Sequence, residues 1–380
     1  MRALNTLLLG LATTCALALP AAAQVSRCLS ATPQPAGAPP NQIVQDFPAG
    51  STAQTGWRIT YGRGVAEGLY ITSAEFRRSP SEPYITVLKE ARLADIFAPY
   101  DPGQPRFFDL TGFNFALVPV STVDLGACGT RVDPVVVKEI RDREMLWKND
   151  TAGKRGQELV IWATLDASNY NYIMRYAFQD DGTITFRIGA TAVNLPGHEL
   201  VPHTHDGLWK IDVDLASPNN KVDVVRRLQS ENSFQANFVV QPFNGGVEGY
   251  EDWVADEFTE VRITNPNVTN ANGKPISYDL KPWQHGVPRH FEPFSHHDFW
   301  VTQYDPTETL YQDLPNYVSN RQPITSNDAV IWFQTSTYHI PRDEDGTYVS
   351  PNVWRGVALT MYSGFDLKPR NLFNTTPYYP

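Results

Sequence analysis

Apolar and polar residues alternate along most of the chain. "GWRITYG" (56–62), "GLYITSAEF" (68–76) and "YITVLKE" (84–90) change character at nearly every step, between Gly, Ser and Pro punctuation. That is the period of a half-buried strand. Comparable runs occupy 157–164, 170–178, 182–188, 208–215, 221–228, 236–241, 258–264, 298–303, 329–336 and 354–361. Asp180-Asp181-Gly182 predicts a hairpin between two of them. Lys89 to Phe97 is the one modest helical candidate, because Leu93 and Phe97, four apart, share a helix face. Many strands, frequent turns and almost no helix predict an all-β fold, a large twisted antiparallel β-sandwich. Periodicity does not contain the sheet order.

The first residues break this pattern. Arg2, the apolar run Leu7 to Leu19 and Pro20-Ala21-Ala22-Ala23 read as a signal peptide over 1–23. The run is too short for a comfortable membrane span, so a periplasmic or secreted protein is expected. Residues 24–54 contain "SATPQPAGAPPNQ" and read as a Pro-rich tether, leaving 55–380 as one body. The formal charge of −10 argues against nucleic acid or an anionic membrane as partner. Beyond the leader only Cys28 and Cys128 remain, and after export they can pair or stay as separate thiols.

Against this frame two groups of residues carry candidate chemistry. His203 and His205 lie two apart in strand-like sequence, so both imidazoles can face one metal. Imidazole suits copper, zinc, iron and nickel alike. Asp212 and Asp214 share a strand face opposite Ile211, Val213 and Leu215. On an unbroken strand they face away from the histidines and suit a hard, oxygen-loving cation or simply water. Adjacent histidines such as His296-His297 point to opposite faces of a strand. His285 and His290 read as surface residues of a Pro-rich loop, and His198 is near enough to His203 to support it.

Several segments, in order, resemble the copper amine oxidases of the topaquinone type over roughly 55–380. They are "GWRITYGRGVAEGLYITSAEF", "ARLADIFAPYDPG", "RFFDL", "LWKND", "NYNY", "HTHDGLWKIDVDL", "SNDAVIWFQTSTYHIPRDEDG" and "LKPRNLFNTTP". The resemblance implies that family's catalytic-domain sandwich, without the smaller N-terminal domains that usually precede it. It implies Tyr170 as the residue converted to topaquinone, with Asn169 beside it. Copper(II) would be held by His203, His205 and His339. Asp109 would be the catalytic base and Tyr100 the tyrosine that hydrogen-bonds the quinone. Asp212, Val213, Asp214, Asp328 and Ala329 match a peripheral calcium-type site. A homodimer acting on a primary amine and dioxygen, releasing aldehyde, ammonia and hydrogen peroxide, is implied as well.

The residue types suit that chemistry. Three neutral imidazoles hold a metal and leave positions open, and no standard side chain is an electron sink for amine oxidation. Asp109, flanked by Phe107, Phe108 and Phe113, is expected to have a raised pKa suited to a base. The chain departs from the family at Asp166 (usually Thr), Ser168 (usually Gly) and Asn171 (usually acidic). Thr111-Gly112-Phe113-Asn114 replaces Gly-Glu-Tyr-Gly, and the usual partner of a cysteine near Cys128 is missing from "VVVKEIRDREML". Three other readings compete. One is a non-catalytic copper-binding relative with unmodified Tyr170. Another is a cupin-like metalloenzyme, which lacks its Glu at Leu208-Trp209-Lys210. The last is a carbohydrate-binding sandwich using Trp283, Trp300 and Trp332.

Overall fold

The alternating segments do become strands. The computed structural model describes residues 28–50, 54–100, 105–229, 236–283, 288–350, 353–355 and 358–377. The expected leader and His285 lie outside them. One sheet runs, side by side and antiparallel, through Gln42–Phe47, Thr55–Gly64, Gly68–Arg77, Glu90–Pro99, His203–Asp212, Asn327–His339, Phe299–Gln303 and Gly249–Glu251. The other runs through Gly129–Asp133, Val136–Lys148, Gly153–Ala167, Tyr170–Gln179, Ile184–Ala192 and Ala358–Arg370. It continues through Pro275–Pro282, Glu260–Thr269, Asn219–Gln229 and Ala236–Pro242. A short pairing of Asn219–Asn220 with Asn327–Asp328 joins the two. The fold is the expected antiparallel β-sandwich.

Side-chain alternation sorts residues between the faces. In Tyr170–Gln179 the even positions Tyr170, Tyr172, Met174, Tyr176 and Phe178 enter the core, while Asn171, Ile173 and Arg175 turn outward. His203–Asp212 is buried on both faces. Trp209 and Ile211 meet the opposite sheet. Leu208 joins a second apolar cluster with Phe97, Trp300, Tyr311 and Trp332. Trp300 and Trp332 are therefore core residues rather than ligand platforms. Each fully buried large apolar side chain contributes about 1.5–3 kcal/mol. The Asp180-Asp181-Gly182 turn closes a hairpin in which Gln179 N donates to Thr183 O.

The helical candidate at 89–97 is corrected: it is the strand Glu90–Pro99. Spacing of four places residues on one face of a strand as well as of a helix. A bulge at Ala94 then puts Leu93 in the main core and Phe97 in the second cluster. The stretch expected as a tether lies against the body. Gln42–Phe47 pairs with Thr55–Gly64, and Thr32 and Gln34 hydrogen-bond Gln45 and Val44. Cys28 and Cys128 form a disulfide with Cα atoms 5.0 Å apart. Cys28 bridges to Arg141 and Leu29 N donates to Ile140 O. The N-terminal segment thus brings Cys28 alongside Val136–Lys148, the strand where the family resemblance implies a cysteine that this sequence lacks.

Candidate metal centre

His203 and His339 are direct cross-strand partners, and His205 follows two residues along the same face. All three are buried, and one nitrogen of each lies within 4.8 Å of the others. The remaining nitrogens are occupied. His203 Nδ1 is 2.9 Å from Val201 O, His339 Nε2 is 2.7 Å from Asp345 Oδ2, and His205 Nδ1 is 3.1 Å from Tyr172 Oη. These partners orient each ring and direct His203 Nε2, His339 Nδ1 and His205 Nε2 inward. Burial lowers the pKa of His203 to about 4 and that of His205 well below the usual imidazole range. Those two imidazoles are neutral, with lone pairs available. His205 Nε2 is buried and has no hydrogen-bond partner. A metal ion there supplies what that nitrogen lacks, so the residues fit a copper site.

Tyr170 reaches this centre from the opposite sheet. Its hydroxyl lies 3.0 Å from His203 Nε2 and 2.8 Å from His339 Nδ1. Tyr100 stacks on His203, with ring centroids 4.0 Å apart and planes 12° apart. Its hydroxyl meets the side chain of Asn169. Asn169 Nδ2 also donates to Val193 O. Tyr100 and Asn169 therefore flank the centre, but Tyr100 contacts the ligand ring and the Asn169 amide rather than the Tyr170 hydroxyl.

Asp109 follows the short strand Arg106–Phe108 in a turn, with its N–H donating to Ile96 O. Tyr172 Oη donates to Asp109 Oδ2 at 2.5 Å. Burial pushes the Asp109 carboxyl up to about 7. The Tyr172 hydrogen bond works against this and nearby Asp95 adds to it. Phe113 contributes less than expected, being half exposed. Asp95, fully buried, holds the turn in place. Its Oδ1 accepts from Ile96 N (2.8 Å), Leu110 N (3.1 Å) and Thr111 N (3.2 Å), and its Oδ2 from Gln312 Nε2 (3.2 Å) and the Thr111 hydroxyl.

The three departures around Tyr170 turn away from the metal-ligand histidine group. Asp166 and Ser168 are exposed in the hairpin before Tyr170, where Ser168 N donates to Asp166 Oδ1. Ser168 has φ 67°, which explains why glycine usually stands there. Asn171 is on the outward face of its strand.

The second carboxylate group is also assembled: Asp212, Asp214 and Asp328 converge. The Lys89 ammonium is 3.3 Å from Asp212 Oδ2 and 3.2 Å from Asp328 Oδ2. Burial, then Asp214 and Asp328, raise the Asp212 pKa. Several of these oxygens still lack hydrogen-bond partners. The Val213 carbonyl accepts from Asn220 Nδ2. Ala329, at the start of its strand, pairs with Gln303.

The description "copper amine oxidase, enzyme domain" matches residues 138–379. The chain belongs to the copper amine oxidase family. The matched span holds Tyr170, the three histidines and the Asp212 cluster, whereas Tyr100 and Asp109 precede it. A primary amine oxidase of Klebsiella aerogenes is 26% identical over 293 residues, covering 63% of this chain and 37% of that protein. Primary amine oxidase 2 of Arabidopsis thaliana is 22% identical, over 84% of this chain and 57% of the relative. The histamine oxidase of Arthrobacter globiformis is 25% identical, over 85% and 56%. The chain thus spans little more than half of these relatives, or less. A copper-containing benzylamine oxidase from Hansenula polymorpha has the same fold, with a TM-score of 0.67 at 19% identity over 86% of this chain and 61% of that one.

The other histidines are placed elsewhere. His297 stacks on Tyr250 with centroids 3.5 Å apart, and His296 Nε2 is 3.1 Å from His290 O. His198 packs edge-on against Tyr100, with centroids 5.8 Å apart. His290 is not a surface residue: its ring is 4% exposed and its Nε2 is 3.2 Å from the buried Asp206 carboxylate. Proline-rich composition misleads here because the loop folds back onto the sheet. Tyr172, Asp95 and Asp345 escaped sequence reasoning. Tyr172 carried a signal, since alternation puts it on the same face as Tyr170. Asp95 carried a fainter one, a carboxylate inside the apolar run "LADIFA".

Proposed function

We propose that this chain is an exported primary-amine oxidase that uses copper and a topaquinone formed from Tyr170. It would convert a primary amine, dioxygen and water to an aldehyde, ammonia and hydrogen peroxide. The observation that carries this reading is the Tyr170 hydroxyl within 3.0 Å of His203 Nε2 and 2.8 Å of His339 Nδ1. Copper, held by His203 Nε2, His205 Nε2 and His339 Nδ1, and the quinone would supply the electron sink and the oxygen chemistry. Asp109 takes the proton from the amine-bearing carbon, and a carboxyl raised to about 7 is matched to that task at neutral pH. Tyr100 holds the His203 ring by stacking and meets the Asn169 side chain, next in sequence to Tyr170. The two apolar sheet faces keep bulk water from the centre. The Asp212, Asp214 and Asp328 carboxylates, with carbonyls of Val213 and Ala329, are proposed to hold calcium away from the copper. Cys28–Cys128 favours an oxidising compartment. A homodimer is proposed by family likeness.

The test is to prepare the protein without copper, add copper in air, and follow the visible spectrum and a phenylhydrazine titration, with Tyr170→Phe as control. A quinone band and a hydrazone adduct that vanish in the control support the oxidase. Tight copper binding without a chromophore favours the second reading, a non-catalytic copper-binding relative. The strained Ser168 beside Asn169 is the observation behind that alternative.

A further inference from the structure

The outer face of the tyrosine-bearing sheet carries a groove of about 900 Å³, on the side away from the metal centre. It crosses neighbouring strands from Val136–Lys148 to Ala358–Arg370. At ordinary strand spacing that is roughly 19 Å. Arg141, Arg143, Arg155, Arg175, Arg187 and Lys368 line it, against four carboxylates. A cationic groove is unexpected in a chain of formal charge −10.

Its centre is the pair Arg175 and Arg187, directly opposite each other on adjacent strands. Like charges so placed repel and cost stability. Glu158 offsets only part of this: it lies 2.7 Å from Arg141 and 3.6 Å from Arg175. Among the described residues Arg187 forms no ion pair. Its guanidinium lies instead 3.9 Å from the centre of the Trp283 ring, a stack that fixes its plane. The Nε atoms of Arg175 and Arg187 are buried and bond to nothing. Burial lowers the pKa of Arg187 from the usual guanidinium range, and the charges of Glu158 and Asp366 offset only part of that.

We propose that this groove binds a multivalent oxyanion, a ligand carrying two or more phosphate or sulfate groups. Arg175 and Arg187 form a fork for one group, with Lys368 on one side of it and the arginines of Val136–Lys148 on the other to meet further groups.

Isothermal titration calorimetry on the copper-loaded protein tests this, with tripolyphosphate and a sulfated heparin tetrasaccharide as separate probes. Each is compared with sodium chloride at matched ionic strength. Saturable binding is expected, weakened roughly tenfold or more in the Arg175→Gln, Arg187→Gln double variant, with copper content unchanged. Binding of tripolyphosphate alone assigns a phosphate ligand, and binding of the saccharide alone assigns a sulfated glycan. Heats no greater than chloride for both probes, or an unaltered affinity in the double variant, overturn the proposal. Should that variant fail to fold, Arg187→Lys keeps the charge but loses the planar fork, and unchanged affinity there counts equally against it.

Discussion

Tyr172 donates a 2.5 Å hydrogen bond to Asp109 while standing 3.1 Å from His205 Nδ1. One hydroxyl therefore joins the proposed base to a proposed metal ligand. That bond stabilises the Asp109 carboxylate and opposes the rise that burial imposes. In Tyr172→Phe the Asp109 pKa rises. Since the base works as carboxylate, activity is then lost at higher pH on acidification. The acid limb of the kcat/KM profile should move up by roughly one unit, the worth of a hydrogen bond to a charged group. An unmoved limb would remove Tyr172 from this role.

Asp95 acts on the same limb with the opposite sign. Its carboxyl accepts from Ile96, Leu110 and Thr111 N–H groups, and its charge raises the Asp109 pKa. Asp95→Asn removes the charge, so the limb should move to lower pH. The repositioned turn should also lower kcat. The readout is displacement of the limb from wild type, compared at equal copper content. Shifts of the same sign in both variants would contradict the assignment.

His339 depends on Asp345, which also accepts from Arg342 N and pairs with its guanidinium. Asp345→Asn keeps the shape but weakens the hold on the His339 ring. Copper affinity should fall about 10–100-fold, as for other partners behind metal ligands. Competition titration against a chelator measures it.

These residues show how unevenly the sequence discloses the site. Alternation alone put His203 and His205 on one face and predicted the sandwich. His339 is brought opposite His203 only by a pairing between strands more than a hundred residues apart, which no local pattern encodes. Tyr100 illustrates a different loss. Its position at the centre was legible from the family motif, but its stacking on His203 depends on how Glu90–Pro99 ends beside His203–Asp212. The false helix at 89–97 arose because a bulge hides the strand period.

The disulfide offers the last test. Cys28 precedes the first strand and Cys128 lies just before Gly129–Asp133, with a sequence separation of 100. The link pins residues 28–50 to the edge of the tyrosine-bearing sheet, while Gln42–Phe47 pairs on the edge of the histidine-bearing one. One segment thus clasps both layers. Closing so long a loop restricts the unfolded chain, and such links typically stabilise by about 2–4 kcal/mol. Cys28→Ser should lower the urea midpoint correspondingly and make the segment sensitive to protease. The visible spectrum of the copper-loaded protein should stay unchanged, because the clasp lies far from Tyr170 along the strands. A spectrum altered as much as the stability would show that the clasp also holds the centre in register.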